Sequence, residues 1–196
     1  MPTYDHRRDR LLSHAARVFA DKGYDGTSMR DLARASGMSL AGMYYYVKGK
    51  EDLLFQIQKT VFEAVTRGAR EAVAREATAE GRLAAFIRHH VTFFATHMAA
   101  MKVLAHEAES LSGEMLEELR RIKRAYVQLM LDLLAAIDGQ GPGDRTKRTV
   151  AAYTLFGMMN WIYTWYKPNG PVTVPDLADA ITRLFLTGYQ VEAPAR

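Results

Sequence analysis

The chain is predicted to be all-α, with about nine helices, on three observations. Apolar residues recur every three or four positions from about residue 9 to residue 190. Gly and Pro clusters interrupt this pattern where helices would end, and no stretch keeps an apolar–polar alternation between turn residues. The 196 residues, 48% hydrophobic and 24% charged, have the composition of a folded globular protein and suffice for a small module joined to a larger body. Cysteine is absent, which excludes a disulfide framework, a zinc finger and thiol chemistry. The polar N-terminus has no apolar signal-peptide core, so the expected location is the cytoplasm.

The first helix is expected over Asp9 to Lys22, with Leu11, Leu12, Ala15, Ala16, Val18 and Phe19 on one face and Gly23 as its stop. Ser28, with Asp31 three residues on, has the spacing of a capping box and opens a second helix that buries Leu32, Ala33 and Ala35. Ser36-Gly37-Met38 ends it, since Gly37 can take the positive φ of a tight turn. Ser39 caps a third helix running through about Val47. Two short helices joined by a Gly-containing turn form a helix-turn-helix, whose second helix can enter a DNA major groove. Charge supports this: residues 1–50 hold nine of the 26 Lys and Arg but five of the 22 Asp and Glu, so they carry the whole net charge of +4. A cationic surface is the footprint of phosphate binding. The division expected is a DNA-binding domain over 1–52 and a helical domain over 53–196.

From Glu51 the pattern Leu53, Leu54, Ile57, Val61, Phe62, Val65 predicts one long connecting helix. Further helices are expected at roughly 80–97, 99–110, 113–138, 144–166 and 176–190, separated at Gly81, Ser112-Gly113, Gly139 to Gly143 and Pro168 to Pro171. Thr149 to Tyr166 is 18 residues without formal charge, the lower limit for a bilayer span. It contains Asn160, several threonines and aromatics crowded at one end, which a membrane span does not favour. A helix apolar on all sides is instead buried on both, toward its own bundle and toward a second subunit. Paired with the last helix, through Ile181, Leu184, Phe185 and Tyr189, it predicts a homodimer interface.

Each motif residue has a physical role. Tyr44, Tyr45 and Tyr46 cannot all face a core from so short a helix, and exposed phenols donate to phosphate oxygens. Lys50 opens the long helix, where its ammonium and the unpaired backbone N–H groups can hold one phosphate. Thr27, Ser28 and Arg30 lie at the start of the second helix, and Arg30 is the candidate for a base edge. Ser39, Leu40, Ala41 and Gly42 open the recognition helix. Leu40, Ala41 and Gly42 offer van der Waals contact and close backbone approach, so readout falls to Arg30, the tyrosines and DNA shape.

The segment from Arg7 to Leu54 resembles the DNA-binding domain of the tetracycline-repressor (TetR) family. The residues that carry the likeness are Phe19, Gly23-Tyr24, Thr27-Ser28, Arg30 to Ala33, Gly37-Met38-Ser39, Tyr44 to Tyr46 and Lys50 to Leu54. The resemblance implies a DNA-binding regulator, most simply a repressor on a palindromic operator, with a helical bundle that dimerises and holds an effector. It also sets Tyr44 at the phosphate-contacting position with Tyr45 or Tyr46 beside it. Val47 departs from the family's usual Phe, at some cost in packing.

The effector pocket is expected among the Met- and aromatic-rich helices. Its candidates are Phe86, Phe93, Phe94, His97, Met98 and Met101 from the middle of the chain, and Tyr126 and Met130 beyond it. Tyr153, Phe156, Asn160 and Trp161 complete the set. Trp161 to Pro168, then Gly170 and Leu177-Ala178, resembles the C-terminal part of TetR regulators of fatty-acid and acyl-CoA degradation, which implies an acyl-CoA effector. Arg120, Arg121, Lys123 and Arg124 then either meet coenzyme A phosphates or form a solvated face beside Glu117 and Glu118. His89, His90, His97 and His106 lack the carboxylate partners of a recurring metal site, so no metal or cofactor is expected. Glu-x-x-His pairs, Gly-x-Ser-x-Gly, a P-loop and His-Glu-x-x-His are all missing, which argues against an enzyme. The alternatives are a regulator sensing multiple aromatic drugs, or a helical adaptor that binds no DNA.

Overall fold

The computed structural model describes residues 4–107, 110–138 and 145–190, and the regular structure among them is helical throughout. Ten segments follow in order: α1 (Tyr4–Lys22), α2 (Met29–Ser36), α3 (Leu40–Tyr44), α4 (Lys50–Val73), α5 (Ala79–Thr96), α6 (Met98–His106), α7 (Gly113–Ile137), α8 (Arg145–Asn160), α9 (Ile162–Trp165) and α10 (Val174–Gln190). The Gly139 to Gly143 break lies outside the described residues. Among the described residues no helix is long and apolar enough to cross a membrane.

The chain divides into two compact units. The first joins residues up to Glu63 with His97–Lys123, so it is larger than the expected 1–52 domain. The reason is packing. Val103 of α6, Leu111 just before α7 and Leu119 of α7 are buried in one core with Leu11, Phe19, Leu32, Met43, Leu53 and Leu54. A three-helix module of some 50 residues buries little apolar surface by itself, and these extra side chains complete its core. Each fully buried Leu contributes about 2 kcal/mol.

In the second unit, residues from Ala64 to Thr96 and from Arg124 onward, α10 lies along α5, while α8 and α9 also touch it. Leu83, Phe86, Ile87 and Val91 of α5 are buried with Met130 and Leu134 of α7, Leu155 and Met159 of α8, and Ile181 and Phe185 of α10. Asp138 at the end of α7 accepts hydrogen bonds from Arg148 Nε at 2.8 Å and from the Tyr189 hydroxyl at 3.0 Å, tying three helix ends together.

Several boundaries differ from expectation. α1 begins at Tyr4, five residues before the apolar pattern starts, because Asp5 to Arg10 are polar positions of the same helix. α3 ends at Tyr44, and the amides of Tyr46 and Val47 both donate to the Met43 carbonyl in a closing turn. The helix expected over 144–166 breaks at Trp161 into α8 and α9. Ala35, expected in the core, is exposed because α2 turns it away from Leu32 and Ala33.

Candidate DNA interface and the helical body

The short helices are held by their caps. Ser28 accepts from the Asp31 amide while the Asp31 carboxylate accepts from the Ser28 amide, completing the capping box, and the Ser28 hydroxyl, then its amide, donating to that carboxylate keep the Asp31 carboxyl below its ordinary range. Gly37 closes α2 at φ 67°, in the left-handed region where a side chain would be strained. Ser39 Oγ accepts from the Gly42 amide at 3.0 Å. With five residues α3 has no stability of its own. It is anchored by Met43, fully buried, and by Val47, which fills the core in place of the larger Phe.

That anchoring sorts the tyrosines. Tyr44 and Tyr45 are 51% and 73% exposed. Tyr46 is half-buried, its ring 4.9 Å from that of Tyr4. The Tyr4 ring also meets Tyr45 edge-on at 5.8 Å, so the start of α1 braces the aromatic pair. Leu40 and Ala41 are exposed, Gly42 is half-buried, and Arg30 and Ser39 also reach the surface.

Thr27 is a correction. It is 2% exposed, and its hydroxyl donates to the Gly23 carbonyl at 2.7 Å, so it closes the turn after α1 and cannot reach a phosphate. The Ser28 hydroxyl is likewise engaged, with the Asp31 carboxylate at 2.6 Å. Lys50 is half-buried: its ammonium donates to the Tyr24 carbonyl at 2.9 Å and stands 4.2 Å above the Tyr24 ring. Two ammonium protons remain for a phosphate.

In the helical body, Phe86, Phe94, Tyr126 and Phe156 surround His90, with ring centroids 4.7 to 6.3 Å from it. His90 Nδ1 is 3.0 Å from the Tyr126 hydroxyl and Nε2 is 3.1 Å from Asn160 Oδ1. Since Oδ1 can only accept, the Nε2–H donates to it and Nδ1 accepts from the phenol. Burial drives the His90 imidazole down to about 3, so the ring is neutral. The same burial pushes the Tyr126 phenol well above its usual range. Sequence reasoning assigned Tyr126 and Asn160 to this place but missed His90 as its centre, because one polar residue on an apolar face gives no sign of its partners on other helices.

The remaining pocket candidates divide. Met130 is buried with the His90 group's helices, and Phe93 is half-buried on α5. His97, Met98 and Met101 belong to the first unit, where Met101 is buried and His97 exposed. Tyr153 and Trp161 are corrected: they are 60% and 62% exposed, Tyr153 on the outer face of α8 with Val150 and with Gly157, over which a Cβ would meet nothing within 4 Å, and Trp161 at the break between α8 and α9. The dimer residues divide too. Leu184 is 66% exposed, Tyr189 half-buried, whereas Ile181 and Phe185 are turned into their own bundle at 6% and 7%.

In the basic cluster Arg120 pairs with Glu117 at 2.7 Å, Arg121 lies 4.0 Å from Glu118, and Lys123 packs its ammonium over Phe62 at 5.4 Å. Burial lowers the affinity of Lys123 for its proton. Arg120 and Arg121 thus lie exposed beside acidic neighbours, whereas Lys123 is half-buried. Among the described residues no group of three His, Asp or Glu side chains is placed to hold a metal ion.

Two family models match the chain: bacterial regulatory proteins of the tetR family over residues 11–57, and the tetracyclin repressor-like C-terminal domain over residues 76–189. The transcriptional repressor KstR2 of Rhodococcus jostii is 25% identical over 184 residues, 93% of this chain and 90% of that protein. The regulator BetI of Rhizobium meliloti is 32% identical over 143 residues, 72% of this chain and 70% of its own. Among solved structures, AibR in complex with isovaleryl coenzyme A and operator DNA superposes with a TM-score of 0.78 at 31% identity, covering 91% of this chain and 97% of that one. A TetR-family regulator from Bordetella parapertussis gives 0.89 at 29% identity, over 98% and 100%.

Proposed function

The chain belongs to the tetR family of bacterial regulatory proteins, and from that premise we propose a dimeric repressor that an acyl-coenzyme A releases from a palindromic operator. It is a DNA-binding transcriptional regulator and not an enzyme. Acting on operator DNA, it works in the cytoplasm. The observation that carries the DNA contact is the pair Tyr44 and Tyr45, exposed on a recognition helix whose other face is fully anchored by Met43. Arg30 at the start of α2 and Lys50 at the start of α4 add positive charge to the same module, and two copies related by a two-fold axis read the same half-site twice. Replacing Tyr44 or Tyr45 by Phe is expected to weaken duplex binding about threefold to tenfold, the scale of one hydrogen bond, with melting unchanged. Unchanged affinity in fluorescence anisotropy removes that hydroxyl from the contact.

Dimerisation falls to the outward faces of α8 and α10, through Val150, Tyr153 and Leu184, with Trp161 just past the end of α8. Exposed aromatic and aliphatic residues grouped in this way mark a protein–protein surface.

For the effector, AibR was solved with isovaleryl coenzyme A. In this chain the support is a neutral polar group, His90–Tyr126–Asn160, set among aromatic rings. A panel of acyl-CoAs, free fatty acids and flat cationic drugs tests the assignment by thermal shift. A short-chain acyl-CoA at a hundred times its dissociation constant should stabilise the protein by about 2.7 kcal/mol. It must also lower DNA affinity by the same factor by which DNA lowers its own. Stabilisation by cationic drugs alone would replace acyl-CoA with a multidrug ligand.

A further inference from the structure

In the first unit, Gly23 takes φ 74° after α1 and so turns the amide of Tyr24 toward α6. That N–H donates to Glu107 Oε1 at 2.9 Å. The opposite side of the same residue, the Tyr24 carbonyl, receives the Lys50 ammonium at 2.9 Å, with the phenol ring under the charge. Glu107 is itself fixed from three directions. Ser110 Oγ donates to Oε2 at 2.8 Å, its amide donates to the Val103 carbonyl, and its carbonyl accepts from Gln58 Nε2 at 3.1 Å. Gln58 is fully buried in α4, so this last bond is held by the core.

We propose that Glu107 is a positioning residue for DNA binding: through Tyr24 it holds the Lys50 ammonium where a phosphate can take its remaining two protons. The residue lies far from the helix-turn-helix in sequence. Its effect comes from order. A lysine already docked on Tyr24 loses fewer rotamers when phosphate arrives. The latch can also move. Beside it is a cavity of about 200 Å³ lined by Phe19, Gly23, Val103, His106 and Glu107 among others, so the carboxylate can leave Tyr24 without repacking the core. A shift of α6 by less than a side chain's length would break the bond and loosen Lys50.

This rests on Lys50 as a phosphate contact, and the experiment separates the two ideas. Full-length variants are titrated by fluorescence anisotropy, over a series of salt concentrations, with a duplex recovered by wild-type selection from a random library. K50A should flatten the salt dependence by about one unit of slope. E107A should weaken binding about fivefold and flatten the slope likewise, yet add nothing in the K50A background. E107Q, whose amide oxygen still accepts from Tyr24, should bind as wild type. E107D keeps the charge but is one methylene too short, and stands in for E107A should that variant melt early. Wild-type affinity in E107A, an equal loss with and without Lys50, or an E107Q as weak as E107A would each overturn the latch. If K50A itself binds normally, the phosphate contact falls and the latch with it.

Discussion

A Leu184→Arg variant is expected to sediment as a folded monomer and to bind operator DNA more than about a hundredfold more weakly. Leu184 stands 66% exposed on α10, so its replacement removes nothing from the chain's own core. In a dimer closed over Val150, Tyr153 and Trp161, the guanidinium would enter an apolar interface twice, once from each subunit, without a partner. Each buried unpaired charge costs several kcal/mol, enough to dissociate the pair. One half-site contact then has to stand alone, and the loss of the linked second half-site accounts for the DNA defect. Phe185→Arg is the contrasting variant. Phe185 is 7% exposed and stacked 5.4 Å from Tyr189, so the same charge there should unfold the second unit instead. Sedimentation and circular dichroism separate the outcomes, and a dimeric Leu184→Arg protein would remove α10 from the interface.

Acidification from pH 7 to pH 5 is expected to cost about 2 kcal/mol through His90 alone. Its folded-state value is about 3 against an ordinary 6.5. Between those values the unfolded chain binds a proton that the folded chain refuses, so stability rises with pH across the window. It is complete above about 6.5 and is lost as pH falls toward 3, at about 1.4 kcal/mol per unit. His89, lowered chiefly by burial, acts in the same sense. Thermal melts at fixed protein concentration should therefore shift downward by several degrees at pH 5. In His90→Gln the protein should be weaker at pH 7, having lost a ring that bonds both Tyr126 and Asn160, but its further decline to pH 5 should shrink by about 2 kcal/mol. An unchanged decline would assign the acid sensitivity to other groups.

The helices were legible because their signals are local. Ser28 with Asp31, and Ser39 ahead of Leu40, mark caps within four residues, and both caps form as spaced. That Tyr44, Tyr45 and Tyr46 could not all be buried was legible for a similar reason, since a short helix has one buried face, but which of Tyr45 and Tyr46 faces outward was not. What escaped depends on partners remote in sequence. Nothing near Thr27 shows that its hydroxyl turns inward to Gly23, and nothing near Glu107 shows that it meets Tyr24, 83 positions earlier. Tyr153 and Trp161 were placed in a pocket because aromatic stripes on a helix look alike whether they face a core or another molecule. The greater extent of the first compact unit has the same ground: α6 joins its core through contacts with α1 that no local pattern records.

The recognition helix is tethered by Met43 and Val47 and capped by Ser39, while Leu40 and Ala41 face outward and support none of that. Gly42 is less open to change, since a Cβ there would press on the capping Ser39 oxygen at 3.1 Å. The side chains that fold this helix and the side chains it presents outward are thus different ones. Positions 40 and 41 can therefore change with the scaffold's stability intact, so descendants of one regulator could come to differ in the surface this helix offers before anything in their architecture had changed.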